Sequence, residues 1–115
     1  MSEATLLHQI LEANKDYLAG SPRPLDSSGA PFLVITCIDP RLSAFLEPAL
    51  GLPRHRALLI RVAGNLITDD TLHSVAVALY VKKAEEIYIV GHTDCGMTKF
   101  SAAEVAENFR NAGIQ

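Results

Sequence analysis

Residues 32–41 read Phe-Leu-Val-Ile-Thr-Cys-Ile-Asp-Pro-Arg, and this stretch decides the fold class. The first five are apolar or β-branched without interruption, the pattern of a strand buried on both faces in a parallel sheet. Asp39-Pro40 then reads as a helix start. Asp is the N-cap, and Pro takes the first helical position, where its missing N–H costs nothing. A strand that runs through a short polar loop into a helix is the repeating unit of an α/β sheet.

The unit recurs downstream. Residues 57–62 (ALLIRV) form a second strand of the buried type, followed by a turn at Ala63-Gly64-Asn65. Residues 86–90 (EIYIV) form a third, followed by a loop over 91–98. Helices fill the intervals. Residues 2–19 are amphipathic, with Leu7, Ile10, Leu11 and Leu18 on one stripe, Leu6 and Tyr17 beside it, and Ser2 as cap. Gly20 and Pro22 end that helix, and residues 20–31 are a loop by composition. The helix opened by Asp39 is expected to bury Leu42, Phe45, Leu46 and Ala49. Pro48 is expected to kink or break it, and Gly51 and Pro53 close the segment. A third helix over 70–83, capped by Thr68 or Asp69, carries Leu72, Val75, Ala76 and Leu79 on one face. Lys82 and Lys83 sit at its negative end. Ser101-Ala-Ala-Glu104 is a capping box that opens a last helix to about Asn111, with Gly113 as its stop.

The order is α-β-α-β-α-β-α, which implies a parallel sheet with right-handed crossovers. The chain has 115 residues, 49 % of them hydrophobic and 20 % charged, enough for one domain with a core. The formal net charge is −3, which argues against a nucleic-acid binder. No apolar run is long enough to span a membrane. The first residues carry neither a basic segment followed by an apolar one nor, over the first twenty, any Arg. A secretory or organellar address is not expected, and a cytoplasmic location is.

In open α/β sheets ligands bind at the carboxyl ends of the strands. Three segments converge there: Cys37-Ile38-Asp39-Pro40-Arg41, Arg61-Val62-Ala63-Gly64-Asn65 and Gly91-His92-Thr93-Asp94-Cys95-Gly96. Taken singly, Cys37 reads as a small core hydrophobe, His92 as a loop histidine and Cys95 as a helix-start thiol. The pair also permits a disulfide or a redox dithiol. Together, two thiols and an imidazole at one sheet edge form a zinc set of three, which leaves the fourth position open as catalytic sites do. Asp39 has two uses open to it: it fills that fourth position, or it pairs with Arg41 and accepts a hydrogen bond from the water held there. The plainer readings are a helix cap for Asp39 and an exposed first-turn residue for Arg41.

The sequence resembles the β-class carbonic anhydrases, especially their short forms. Cys37-Ile38-Asp39-Pro40-Arg41-Leu42 resembles the family's first signature and Gly91-His92-Thr93-Asp94-Cys95-Gly96-Met97 its second, with Ala63-Gly64-Asn65 between them. The resemblance runs from the first helix to about Met97. It implies a single domain over residues 1–115, a three-layer α-β-α fold with a small, mainly parallel sheet of strand order 2-1-3, and helices on both faces. It further implies Zn2+ on Cys37, His92 and Cys95, with Asp39 and Arg41 as catalytic dyad and Asp39 on the metal only in a closed resting state. Gly64 and Gly96 would lie at the substrate pocket, Gly96 as a backbone donor. The implied activity is reversible hydration of CO2 to bicarbonate by zinc-bound hydroxide, in a homodimer or higher homo-oligomer with the first helix on the partner. A CS2 or COS hydrolase on the same zinc site and a shortened zinc-binding relative without activity are the alternatives. His55 and His73 are the histidines a proton relay would use, although both read as surface or helix residues. Family members continue past the second signature to at least one more strand. In this chain the third strand is therefore expected to present an apolar edge, to be covered if at all by the last helix or a partner chain.

Overall fold

The computed structural model describes residues 5–114. Its centre is β1 (Phe32–Thr36), of which every residue is at most 1 % exposed. Burying such side chains stabilises by about 1.5–3 kcal/mol each. On one side β1 pairs in parallel with β2 (Ala57–Arg61), and on the other with β3 (Ile87–Val90), giving the order β2-β1-β3. Alternation along β1 sends Phe32 and Val34 to one face and Leu33 and Ile35 to the other.

Each β1 face has its own helical cover. Phe32 and Val34 cluster with Ile10 of α1 (Leu6–Leu18), Leu46 of α2 (Leu46–Leu50) and Leu52. Leu33 and Ile35 cluster with Ala78 of α3 (Asp69–Tyr80) and with Ala84. The fold is thus the expected three-layer α-β-α arrangement with helices on both faces. A fourth helix, α4 (Ala102–Asn111), buries none of its residues.

Local chemistry explains most boundaries. Thr5 accepts from His8 N–H at the start of α1; Ser2, the expected cap, lies outside the described residues. Thr68 caps α3 and Ser101 caps α4, the latter through Glu104 N–H as the capping box requires. Gly51 ends α2 at φ 65°, where a Cβ would come within 2.6 Å of Ala13 Cβ, so α1 and α2 pack closely there. Asn14 of α1 donates to the Ala49 carbonyl across that contact.

Several expectations are corrected. The helix after Asp39 is a 3-10 turn, Pro40–Leu42, separated from α2 by Ala44 in the left-handed region (φ 61°). Pro48 causes no kink because it falls in the first turn of α2, where a backbone N–H has no helical partner. Leu42, Leu46 and Ala49 are buried, but Phe45 lies in the break and is exposed. In α1 the buried positions are Ile10 and Ala13, whereas Leu7, Leu11 and Leu18 of the expected stripe face outward. The reason is that α1 packs on α2 and not across a wide sheet. In α3, which lies over β1 and β2, Thr71 and Ala78 are buried, Val75 and Leu79 partly so, and Leu72 and Ala76 are exposed. The helix ends at Tyr80, so Lys82 and Lys83 lie beyond it. Ile87 and Ile89 share the α3-side face of the sheet with Leu33 and Ile35, yet remain 41 % and 57 % exposed. α4 does not cover them, and the expected apolar edge is present.

Candidate metal centre

All three strands end on one side of the molecule, and each exit delivers a different piece of chemistry. β1 runs out through Cys37 to Asp39, where the Asp39 carboxylate accepts from Arg41 N–H and caps the 3-10 turn. β3 runs out through His92 to Cys95. β2 runs out through Val62 to Gly64. Thr36 Oγ1 donates to the Val90 carbonyl, and Val62 N–H donates to the Thr36 carbonyl, so the three exits are tied together.

Cys37, His92 and Cys95 meet there. Their ligand atoms all lie within 4.8 Å of one another, and the two Sγ atoms are 3.8 Å apart. Two sulfurs at about 2.3 Å from a common ion at a tetrahedral angle stand about 3.8 Å apart. His92 Nδ1 is 2.9 Å from the Thr93 carbonyl, which can only accept. The Nδ1 proton is therefore committed, and Nε2 carries the free lone pair. Among the described residues, Nε2 is the buried side-chain nitrogen or oxygen without a hydrogen-bond partner. A buried, unpaired acceptor is costly in a finished protein interior and expected at a ligand position. The donor set, its spacing and this free nitrogen fit a tetrahedral cation.

Electrostatics point the same way. Gly64 N–H donates to Cys37 Sγ at 3.2 Å. That contact, with His92 nearby, lowers the Cys37 thiol to about 6, so the thiolate a metal needs forms near neutral pH. His92 is raised, first by Cys37 and then by the Thr93 carbonyl.

Asp39 stands just outside this group. Arg41 grips its carboxylate through Nε (3.1 and 3.2 Å) and Nη2 (2.7 Å), which holds Asp39 well below the usual carboxylate range. Asp39 raises Arg41 in return. Arg41 is itself fixed by the Asp94 carbonyl at 2.7 Å, and Asp94 is held by Lys99 at 2.8 Å. The structure thus has Asp39 on Arg41, with Oδ2 3.8 Å from His92 Nδ1.

Beside Cys37 lies an apolar cavity of about 270 Å3, lined by Ile38, Pro40, Ala63, Gly96, Met97 and Phe100 together with Cys37 and Asp39. Gly96 borders it, and a Cβ there would meet nothing within 4 Å. Gly64 stands behind Met97, at φ 66°. His55 and His73 are both exposed, and His55 precedes β2, at the opposite end of the sheet. Sequence reasoning gave no role to Arg61, although its guanidinium binds the backbone of both Cys37 and Asp39. A charged residue closing the apolar run Leu58-Leu59-Ile60 was the available signal.

Comparison with known proteins agrees with this geometry. The family model described as carbonic anhydrase matches residues 32–114. Beta-carbonic anhydrase 1 of Mycobacterium tuberculosis (strain H37Rv) is 34 % identical over 98 residues, covering 84 % of this chain and 59 % of its own. A carbon disulfide hydrolase of Acidianus sp. (strain A1-3) is 39 % identical over 82 residues, covering 71 % of this chain and 39 % of its own. The crystal structure of β-carbonic anhydrase isoform I from Trichomonas vaginalis superposes with a TM-score of 0.69 at 34 % identity, covering all of this chain and 65 % of that one. The chain spans from 39 % to 63 % of the length of the curated relatives it matches.

Proposed function

This chain belongs to the β-class carbonic anhydrase family, and from that premise we propose that it is a zinc-dependent carbonate dehydratase, interconverting CO2 and bicarbonate. One observation carries the reading: a buried His92 Nε2 without a partner, beside two sulfurs at the spacing of a shared tetrahedral ion. Cys37, Cys95 and His92 hold the metal. The Thr93 carbonyl orients the imidazole, and the Gly64 N–H keeps the Cys37 sulfur charged.

Zinc, when bound, supplies Lewis acidity that moves the ionisation of water toward neutral pH. The chain's own residues do the rest. Asp39, kept ionised by Arg41, accepts a hydrogen bond from the attacking water and aims its oxygen lone pair. Arg41 prevents Asp39 from occupying the ligand position itself. The apolar walls formed by Ile38, Met97 and Phe100 receive an uncharged substrate, and Gly96, which borders the cavity, would offer its backbone N–H to the oxygen that gains charge. The proton leaves to bulk water. The two thiolates of Cys37 and Cys95 would offset the charge of a bound ion, which would acidify water less than a three-histidine set does.

A second reading is a CS2 or COS hydrolase on the same site. It is favoured by the likeness to carbon disulfide hydrolases. Metal analysis with parallel assays on CO2, COS and CS2 separates the readings. One zinc per chain with CO2 turnover supports the first, and turnover of a sulfur substrate alone supports the second. Zinc without any turnover identifies a zinc-binding relative that is not an enzyme. Residues 1–115 act as one domain in this reading, in a homodimer or larger assembly. The outward Leu7, Leu11 and Leu18 on α1 support that assembly, and light scattering tests it. Thiols that must stay reduced to hold metal suit the cytoplasm.

A further inference from the structure

Arg61 ends β2 opposite Thr36, the last residue of β1. Its side chain crosses the carboxyl end of β1 and makes three hydrogen bonds with one guanidinium. Nε donates to the Cys37 carbonyl at 3.0 Å, Nη2 to the Asp39 carbonyl at 2.8 Å, and Nη1 to Ser43 Oγ at 2.9 Å. The first two acceptors belong to a metal-ligand candidate and to the residue that receives the water's hydrogen bond. The third lies where the 3-10 turn ends, so the clamp spans the whole 37–43 loop.

We propose that Arg61 is a positioning residue, whose planar fork fixes the spacing between the Cys37 sulfur and the Asp39 carboxylate at the metal centre. The loop needs such a device. Ile38 is exposed and Ala44 just beyond takes a left-handed conformation, so between the buried Cys37 and Leu42 no apolar side chain defines its path. Without the clamp, β1 still delivers Cys37, but the Cys37 carbonyl is released and the Asp39 carbonyl keeps only its bond from Leu42 N–H within the turn, so the segment between the Gly64 contact at Cys37 Sγ and the buried Leu42 is free to shift. Lysine cannot replace the fork, because one ammonium reaches one or two of three acceptors that lie in different directions.

The inference rests on the zinc reading above, and the experiment separates the two. Zn2+ affinity is measured by competition with a chromophoric chelator, and the Co2+-substituted protein is followed through its thiolate charge-transfer bands. Arg61→Lys is compared with Arg56→Lys, because Arg56 also donates to two backbone carbonyls, those of Ala30 and Asp26, at the far end of the sheet. Expected is a 10–100-fold loss of Zn2+ affinity and a shifted cobalt spectrum in Arg61→Lys alone, while Arg56→Lys lowers thermal stability but leaves both metal readouts unchanged. Ser43→Ala, which removes only the outermost anchor, is expected to weaken Zn2+ by about threefold and decides the matter should Arg61→Lys fail to fold. Unchanged affinity and spectrum in Arg61→Lys, or in Ser43→Ala where it stands in, overturn the role of Arg61. So does an equal metal defect in Arg56→Lys. A wild-type chain that binds neither ion overturns the zinc reading itself.

Discussion

Substitution of Gly64 by alanine is the sharpest test of how β2 supports the centre. Gly64 sits at φ 66° and ψ 18°, in the left-handed region, where an L-residue costs about 1–2 kcal/mol. Its new Cβ would also stand 2.8 Å from Met97 Cγ and 3.1 Å from Met97 Cβ, so Met97 must change rotamer, and its Cβ, fixed by the backbone, cannot swing clear. Overpacking of this kind costs about 1–3 kcal/mol. The sum is about 2–5 kcal/mol, measured by urea unfolding of the reduced, metal-free protein so that ion binding does not enter. The two contributions separate in a double-mutant cycle. In a Met97→Ala background the closest atom is gone, and Gly64→Ala should cost little more than the backbone part. The same shift lengthens the 3.2 Å contact from Gly64 N–H to Cys37 Sγ, so zinc affinity should fall together with stability. A Gly64→Ala protein as stable as the parent, or one that Met97→Ala fails to relieve, would refute the reasoning.

Cys37→Ser should leave less than a tenth of the parental zinc after dialysis against a chelator, read by atomic emission, because a hydroxyl does not ionise to replace a thiolate. Asp39→Asn should keep its zinc while losing roughly 10²–10⁴-fold in turnover, measured by stopped-flow CO2 hydration; retained turnover would remove Asp39 from the mechanism. In the metal-free protein the ultraviolet absorbance of the Cys37 thiolate should titrate with a midpoint about 6. The sign follows from linkage. Cys37 is lowered in the folded state, so its contribution to stability is full above the ordinary thiol range and is lost as pH falls through about 6. Asp39, held far lower by Arg41, stays ionised across that window and should add no step of its own.

The linear sequence was sufficient for the parts of the protein set by local pattern. The apolar run at 32–36 has no polar face to expose and marks a buried parallel strand, whereas 57–62, interrupted by Arg61, forms a parallel strand that is only partly buried, with Leu59 exposed, because no further strand or full helical layer covers it. Capping chemistry at Thr68 and at Ser101 with Glu104 marks helix starts, because a side chain three residues away satisfies a backbone donor wherever the helix packs. The donor types at Cys37, His92 and Cys95 were legible for the same reason: the order of strands and helices brings all parallel strand ends to one edge. Which apolar residues are inside was not legible. Leu7, Leu11 and Leu72 satisfy a helical period, but burial depends on what lies opposite, and a sheet of three strands leaves part of each helix face uncovered. Nor did spacing reveal that Asp39 rests on Arg41, that Thr93 assigns the His92 proton, or that Arg61 joins β2 to the Cys37 loop. Those contacts join residues from one to 24 positions apart, and only the folded backbone sets their distances and directions.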